Sequence, residues 1–205
     1  MNTFIIVVVL LQQYLFADLV RSAPLGSLSD LPPSFREAAE RAKTLAEKIL
    51  NDIPAVYSTT VHTEGLTLDP STQTANLQMM VTSLGIPAAP VLKPLSERFT
   101  LDTCVSRMSA GSRLYQGLLG VLSRRQSGLS DLHADLRDLL THINKMKEVA
   151  QLSSGEEDPN HSLDLTLHGS YDFQVAVHLT LTQLRSFCHD LMRSLRAVTS
   201  HRIRA

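Results

Sequence analysis

In the last long stretch of the chain, residues 170–201, apolar residues recur at Val177, Leu181, Leu184, Cys188, Leu191, Leu195 and Val198 in steps of four and three. That spacing keeps them on one face of an α-helix for more than three heptads. Arg185, His189, Asp190, Arg193 and Arg196 fall between them, so the opposite face is wet. A helix with one such stripe must bury it against partners. A second pattern competes locally. Val175, Val177, Leu179 and Leu181 alternate with Ala176, His178, Thr180 and Thr182. Preceded by Leu163, Leu165, Leu167 and a His168-Gly169-Ser170 turn, they read as a β-hairpin. The heptad runs on for seventeen residues beyond Leu181, far past strand length, and predicts a helix.

Three earlier stretches carry the same signal. Ser34 and Glu37 make a capping box behind Pro32-Pro33. Phe35, Ala38, Ala42, Leu45, Ile49 and Ile53 then trace one face of a first helix, which Pro54 is expected to close. Residues 55–94 hold no sustained stripe. Pro70, Pro87, Pro90 and Pro94 punctuate them, with room for a short helix over residues 76–83. So long a connection is unusual in a compact domain. A second helix is predicted from Ser96 to Leu122, carrying Phe99, Cys104, Val105, Met108, Tyr115, Leu118 and Leu119. Its Gly111, Gly117 and Gly120 weaken it locally, so packing must hold it. After a break containing Gly128, a third helix follows Leu132, Leu136, Leu139, Ile143, Met146 and Val149. Residues 153–169 form an acidic, polar loop before the fourth.

Loop lengths narrow the topology. Helices of about 20–30 residues are ~30–45 Å long, whereas a break of about seven residues reaches roughly 23 Å at most. The second and third helices must therefore run antiparallel. The first connection is far longer than a hairpin needs, and about seventeen residues between the third and fourth helices stretch to ~56 Å. Both can cross the length of a bundle. The expectation is all-α: an up-up-down-down four-helix bundle with long crossover loops between the first and second and between the third and fourth helices.

Composition changes this picture little. Aromatics are 5% of 205 residues with no Trp, which suits a Leu-rich bundle, and the length suits one domain. A net charge of −1 points to no nucleic acid. Residues 4–11 are wholly apolar before Gln12, Gln13 and Asp18 interrupt them. That run is too short to span a bilayer, so no membrane insertion is expected. A secretory signal peptide fits better, although no Lys or Arg precedes the run. Cutting after Ala23 would set Arg21 three positions back and Pro24 just past the bond, both unfavourable. Cutting after Ser22 places Val20 and Ser22 suitably. Residues 1–22 are thus expected to be a signal peptide and residues 23–205 the mature four-helix domain, secreted and extracellular. Mass-spectrometric sequencing of secreted protein should read Ala23 first; any other start refutes this cleavage site.

Candidate chemistry is sparse. The chain has no nucleophile elbow, phosphate loop or HExxH motif, so neither an enzyme nor a cofactor is expected. The eight His are scattered, and His178 and His189 lack a third ligand in register for a metal. Cys104 and Cys188 both sit on apolar stripes. Two readings stay open: buried free thiols, or a disulfide joining the second and fourth helices. Asn160-His161-Ser162 is a glycosylation sequon in the polar loop, with Asn160 its acceptor. Arg193, Arg196, Arg202 and Arg204 complement the last helix's dipole, or more sharply form a heparin-binding patch.

Particular strings say more than periodicity does. They are Ala23-Pro24-Leu25-Gly26, Leu31-Pro32-Pro33-Ser34-Phe35, Leu84-Gly85-Ile86-Pro87-Ala88-Ala89-Pro90, Gly111-Ser112-Arg113-Leu114-Tyr115-Gln116-Gly117-Leu118-Leu119 and Leu184-Arg185-Ser186-Phe187. In this order they resemble the granulocyte colony-stimulating factor family of long-chain four-helix cytokines, which includes myelomonocytic growth factor. The resemblance implies a growth factor, monomeric when free, that dimerises a class I cytokine receptor through its ectodomain. It would promote granulocyte-lineage proliferation and differentiation. It also implies a main receptor patch of Glu40, with Lys43 beside it, on the first helix and Asp135 and Asp138 on the third; all three acids fall off their helices' apolar stripes, which by itself predicts solvated carboxylates. A second patch would use Glu64 and Tyr171. The family's two disulfides near the first crossover are not matched: only Cys104 has a counterpart, and Lys93, Tyr57 and His62 stand near the others' places. A less firmly tethered first crossover is therefore expected. The alternative function is a secreted amphipathic helical lipid-binding protein, although tandem Pro-punctuated repeats are missing.

Overall fold

Pro33 has a fixed φ and no N–H to leave unsatisfied, which suits the first position of a helix. The computed structural model describes residues 31–69, 75–152 and 163–200. The signal-peptide segment, Ala23, Asn160, Arg202 and Arg204 lie outside these described residues. Helix α1, Pro33–Thr60, opens on Pro32, whose carbonyl receives the Phe35 amide at 2.9 Å. The Ser34–Glu37 capping box does not form, because the helix has already begun. Glu37 instead pairs with Arg41, 2.7 Å away and one turn on.

Pro54 does not close α1, contrary to the sequence expectation; the helix continues to Thr60. Proline removes one ladder bond and crowds the preceding turn. Here its ring is exposed, while Ile53, Tyr57 and Thr60 on either side are buried. Tertiary packing outweighs the local break. The core face also turns slightly from the predicted one. Ala39 and Ala46 are buried, whereas Leu45 is half-buried.

Within the first crossover, α2 spans Ala75–Ser83. Gly85 ends it at φ +72°, with Ile86 N–H to the Val81 carbonyl (3.0 Å) and Gly85 N–H to the Thr82 carbonyl (3.2 Å). This pair of bonds is a Schellman motif, which needs a left-handed residue at that point. Helix α3, Leu101–Leu122, starts five residues later than predicted, because Ser96 and Phe99 close a tight turn and Thr100 caps it. A 3₁₀ turn, Ser127–Leu129, leads into α4, Ser130–Val149. Helix α5, Ser170–Ser200, is continuous, so the hairpin alternative fails. All of residues 175–182 are buried. A helix enclosed on every side has no wet face, which is why this segment imitates strand alternation.

Cross-helix contacts give the directions. Between α1 and α5, Tyr57 meets His178 and Glu47 meets Arg196. Between α1 and α4, Lys48 meets Asp135, while Glu37 and Glu40 lie opposite Asp138 and His142. Between α3 and α4, Ser109 bonds Asn144 at 2.9 Å and Gly120 lies against His133. Between α3 and α5, Gly111 lies under Phe187 and Cys104 near Ser194. In every pair one number rises as the other falls, so α1 and α3 each run antiparallel to α4 and α5. The bundle is therefore up-up-down-down with two long crossovers. The α3 glycines have a packing role: a Cβ at Gly111 would strike the Phe187 ring, and one at Gly117 would lie 2.5 Å from Leu163 Cδ1.

The first crossover is held non-covalently. Gln174 on α5 donates to the Thr60 carbonyl (3.0 Å) and accepts from the His62 amide (2.8 Å). Arg185 Nη1 donates to the Leu68 carbonyl at 3.3 Å, and Arg107 Nη1 to the Val91 carbonyl at 2.9 Å. The Thr166 amide reaches the Leu84 carbonyl at 3.1 Å, joining the two crossovers. These bonds occupy the region where the resemblance leads one to look for disulfides.

Candidate functional site

Antiparallel packing of α1 on α4 sets side chains three and four apart on each helix opposite one another. Glu37, Glu40 and Arg41 of α1 thereby face Asp138 and His142 of α4 across an open groove of about 660 Å³. Thr44, Leu45 and Thr141 also line it. Two of the sequence-predicted receptor residues, Glu40 and Asp138, are thus brought together from positions far apart in the chain. Both are exposed, with side chains 56% and 59% accessible. Glu40 takes a hydrogen bond from Lys43 Nζ at 3.0 Å, and Asp138 lies 3.6 Å from Arg137 Nε. Such exposed pairs add little stability and leave the carboxylates available.

Asp135 is different. Its side chain is only 16% accessible and is paired with Lys48, which also holds Asp52 at 3.0 Å. Asp135 first and Asp52 second hold the Lys48 ammonium above its ordinary pKa. Asp135 therefore braces α4 against α1 beside the groove and is not the freely solvated acid that its place off the Leu132–Leu136–Leu139 stripe suggested. Sequence reasoning missed Lys48, Glu37, Arg41 and His142. His142 was legible in principle, since it stands one turn beyond Asp138 on the same face.

Glu64 and Tyr171 lie at the other end of α1, roughly 30 Å from Glu40 along the helix. Glu64 is exposed beside Gly65, whose φ is +81°, and Tyr171 is 56% accessible in the first turn of α5. The Gln174 bridge to Thr60 and His62 brings the loop bearing Glu64 to the head of the helix bearing Tyr171. In the same first turn of α5, the Phe173 ring carries the Arg125 guanidinium over its face at 4.6 Å.

Cys104 and Cys188 are free and buried. Cys104 lies at the level of Ser194, six residues beyond Cys188 on α5, an axial offset of about 9 Å. Burial raises the two thiols to about 11 and about 12, so both stay protonated and unreactive. At the end of α5, Arg193 pairs with Asp190, and Arg196 lies 3.7 Å from Glu47. The described half of the arginine cluster is thus already engaged with acids. Among the described residues no three His, Cys, Asp or Glu gather to hold a metal ion. No described helix is long and apolar enough to cross a membrane.

No protein-family model matches the chain. It is 28% identical over 187 residues to human (Homo sapiens) granulocyte colony-stimulating factor, across 85% of this chain and 84% of that protein. The chain is similar to granulocyte colony-stimulating factor. The pig (Sus scrofa) granulocyte colony-stimulating factor is 27% identical over 180 residues, across 85% of this chain and 87% of its own length. The bovine (Bos taurus) one is 28% identical over 124 residues, 58% of this chain and 63% of its own length. In the human and pig comparisons the likeness reaches across most of the bundle, beyond any single helix.

Proposed function

We propose that this chain is a secreted cytokine of the granulocyte lineage, a growth factor and not an enzyme. It works by binding the ectodomain of a class I cytokine receptor of the granulocyte colony-stimulating factor receptor type and dimerising it. The likeness to the mammalian granulocyte colony-stimulating factors supports the growth-factor reading. The observation that carries the site is the convergence of Glu40 and Asp138 on one exposed acidic groove between α1 and α4. Glu64 and Tyr171 at the head of the bundle form the second, smaller contact. Two separated patches on one monomer are what bridging two receptor chains requires. Secretion follows removal of residues 1–22, and Asn160 carries glycan. A lipid carrier would need an exposed apolar face. Among the described residues the large exposed apolar side chains are Met79, Val91 and Tyr171, which form no helical stripe.

The test is binding to an immobilised receptor ectodomain. Glu40→Ala and Asp138→Ala should each weaken binding at least tenfold, about 1.4 kcal/mol. Circular dichroism should be unchanged, since both side chains are solvent-facing. Wild-type binding by both variants would move the receptor site off this groove.

A further inference from the structure

Beyond α1 the chain turns through residues 60–68 with no covalent tether, since its two cysteines are Cys104 and Cys188. Helix α5 holds both legs of this loop instead. On the leading leg, the Gln174 amide group satisfies two backbone groups at once. Its Nε2 donates to the Thr60 carbonyl at 3.0 Å, and its Oε1 accepts from the His62 amide at 2.8 Å. Only that orientation of the amide suits both partners. The Thr60 carbonyl is one of those that a helix end leaves unmatched. On the trailing leg, Arg185 Nη1 donates to the Leu68 carbonyl at 3.3 Å. Gln174 and Arg185 are eleven residues apart, about three turns, so they rise from one face of α5. Between the legs, residues 63–66 form a tight turn, with the Leu66 amide 3.4 Å from the Thr63 carbonyl and Gly65 at φ +81°. Glu64 stands exposed at the corner of that turn.

We propose that Gln174 and Arg185 are positioning residues for the second receptor contact: they clamp the two legs of the 60–68 loop on α5 and so fix Glu64 at the head of the bundle, where Tyr171 stands. This inference rests on the receptor reading above. Neither side chain needs to touch the receptor. Both are half-buried, and each commits its polar group to loop backbone. Tyr171 comes three residues before Gln174, so it shares the clamp's face of α5. The helix itself holds Tyr171, whereas Glu64, on a loop, depends on what grips the loop's legs. An unclamped loop has to be ordered when the receptor binds, and that lost freedom weakens affinity.

The experiment measures affinity for the immobilised receptor ectodomain with Gln174→Met and Arg185→Met, each alone and combined with Glu64→Ala or Glu40→Ala as double-mutant cycles. Methionine keeps an unbranched side chain and removes the hydrogen bonds. Each single variant should weaken binding about fivefold. With Glu64 already replaced, either should add less than about twofold, because the loop then has no carboxylate to misplace. With Glu40 replaced, on the other patch, the full loss should remain. A merely weakened fold would lower binding alike in every background. A full loss in the Glu64→Ala background, or wild-type binding by either single variant, overturns the proposal. Circular dichroism checks that each variant is folded. In folded Gln174→Met the His62 amide should exchange its proton faster than in wild type; an unchanged rate also overturns the clamp. If Glu64→Ala alone binds like wild type, the second contact falls and takes this inference with it. If folded wild type fails to bind, the receptor reading itself falls.

Discussion

Leu184→Ala should destabilise the fold by about 2–5 kcal/mol. Leu184 is 0% exposed and stands midway along α5, the helix against which α1, α2 and α3 all pack. Removing its isobutyl group forfeits the transfer energy of those carbons and leaves a cavity that neighbouring helices close only in part. The size of the loss depends on how far the site collapses. α5 is gripped from several sides and cannot shift toward one partner without leaving another, which places the expectation well above the effect of a surface change. For a chain of this size each kcal/mol lowers the melting temperature by about 2–4 °C. Thermal and urea unfolding followed by circular dichroism read the effect directly. A loss well under 1 kcal/mol would mean that Leu184 does not belong to the packed face.

The second large effect concerns one buried polar pair. Tyr57 Oη and His178 Nδ1 share a hydrogen bond of 2.8 Å between α1 and α5, and the rings meet edge-on with centroids 5.9 Å apart. His178 is 1% exposed, and its Nε2 has no hydrogen-bond partner. Tyr57→Phe should therefore cost about 1–3 kcal/mol, because it strands the second ring nitrogen as well. Burial lowers the His178 pKa below the ordinary imidazole value. As the pH falls through about 6.5, the unfolded chain takes up a proton that the folded chain refuses. This contribution to stability is complete above that pH and is lost as the pH falls toward the lowered folded value. Urea midpoints at pH 7.5 and 5.5 should show wild type losing stability on acidification. The double variant Tyr57→Phe/His178→Leu, with no titrating group at the site, should lose less. Equal losses in the two proteins would place the acid sensitivity elsewhere.

The same pair explains how α1 passes Pro54. Ile53, Tyr57 and Thr60 are buried, Tyr57 is bonded to His178, and the Thr60 carbonyl is bonded by Gln174. The last two turns, beyond the proline, are thus fastened to α5, while Ile53 just before it is held in the core. Local propensity argued for a stop at Pro54, and non-local burial overrode it.

The four long helices were written in the chain, because each carries its own 3.6-residue stripe and such a stripe needs no knowledge of its partners. Connection lengths, a property of covalent reach, fixed the second and third helices as antiparallel and permitted two crossovers, which the cross-helix contacts then established. Glu40 and Asp138 were legible as exposed acids for the same reason: they fall off their stripes. Other features were decided only by contacts between residues distant in sequence. The groove exists because α1 lies antiparallel on α4 in one register, and no single helix encodes that register. That register also turned Asp135 from a free acid into the partner of Lys48, and placed His142 among three carboxylates. It rotated the core face of α1 toward Ala39 and Ala46 and left Leu45 on the groove wall. The close fit of Phe187 over Gly111 and the enclosure of residues 175–182 belong to the same class. Periodicity reports which side of an element is apolar; which neighbour meets that side, and at what height, depends on packing the whole bundle at once.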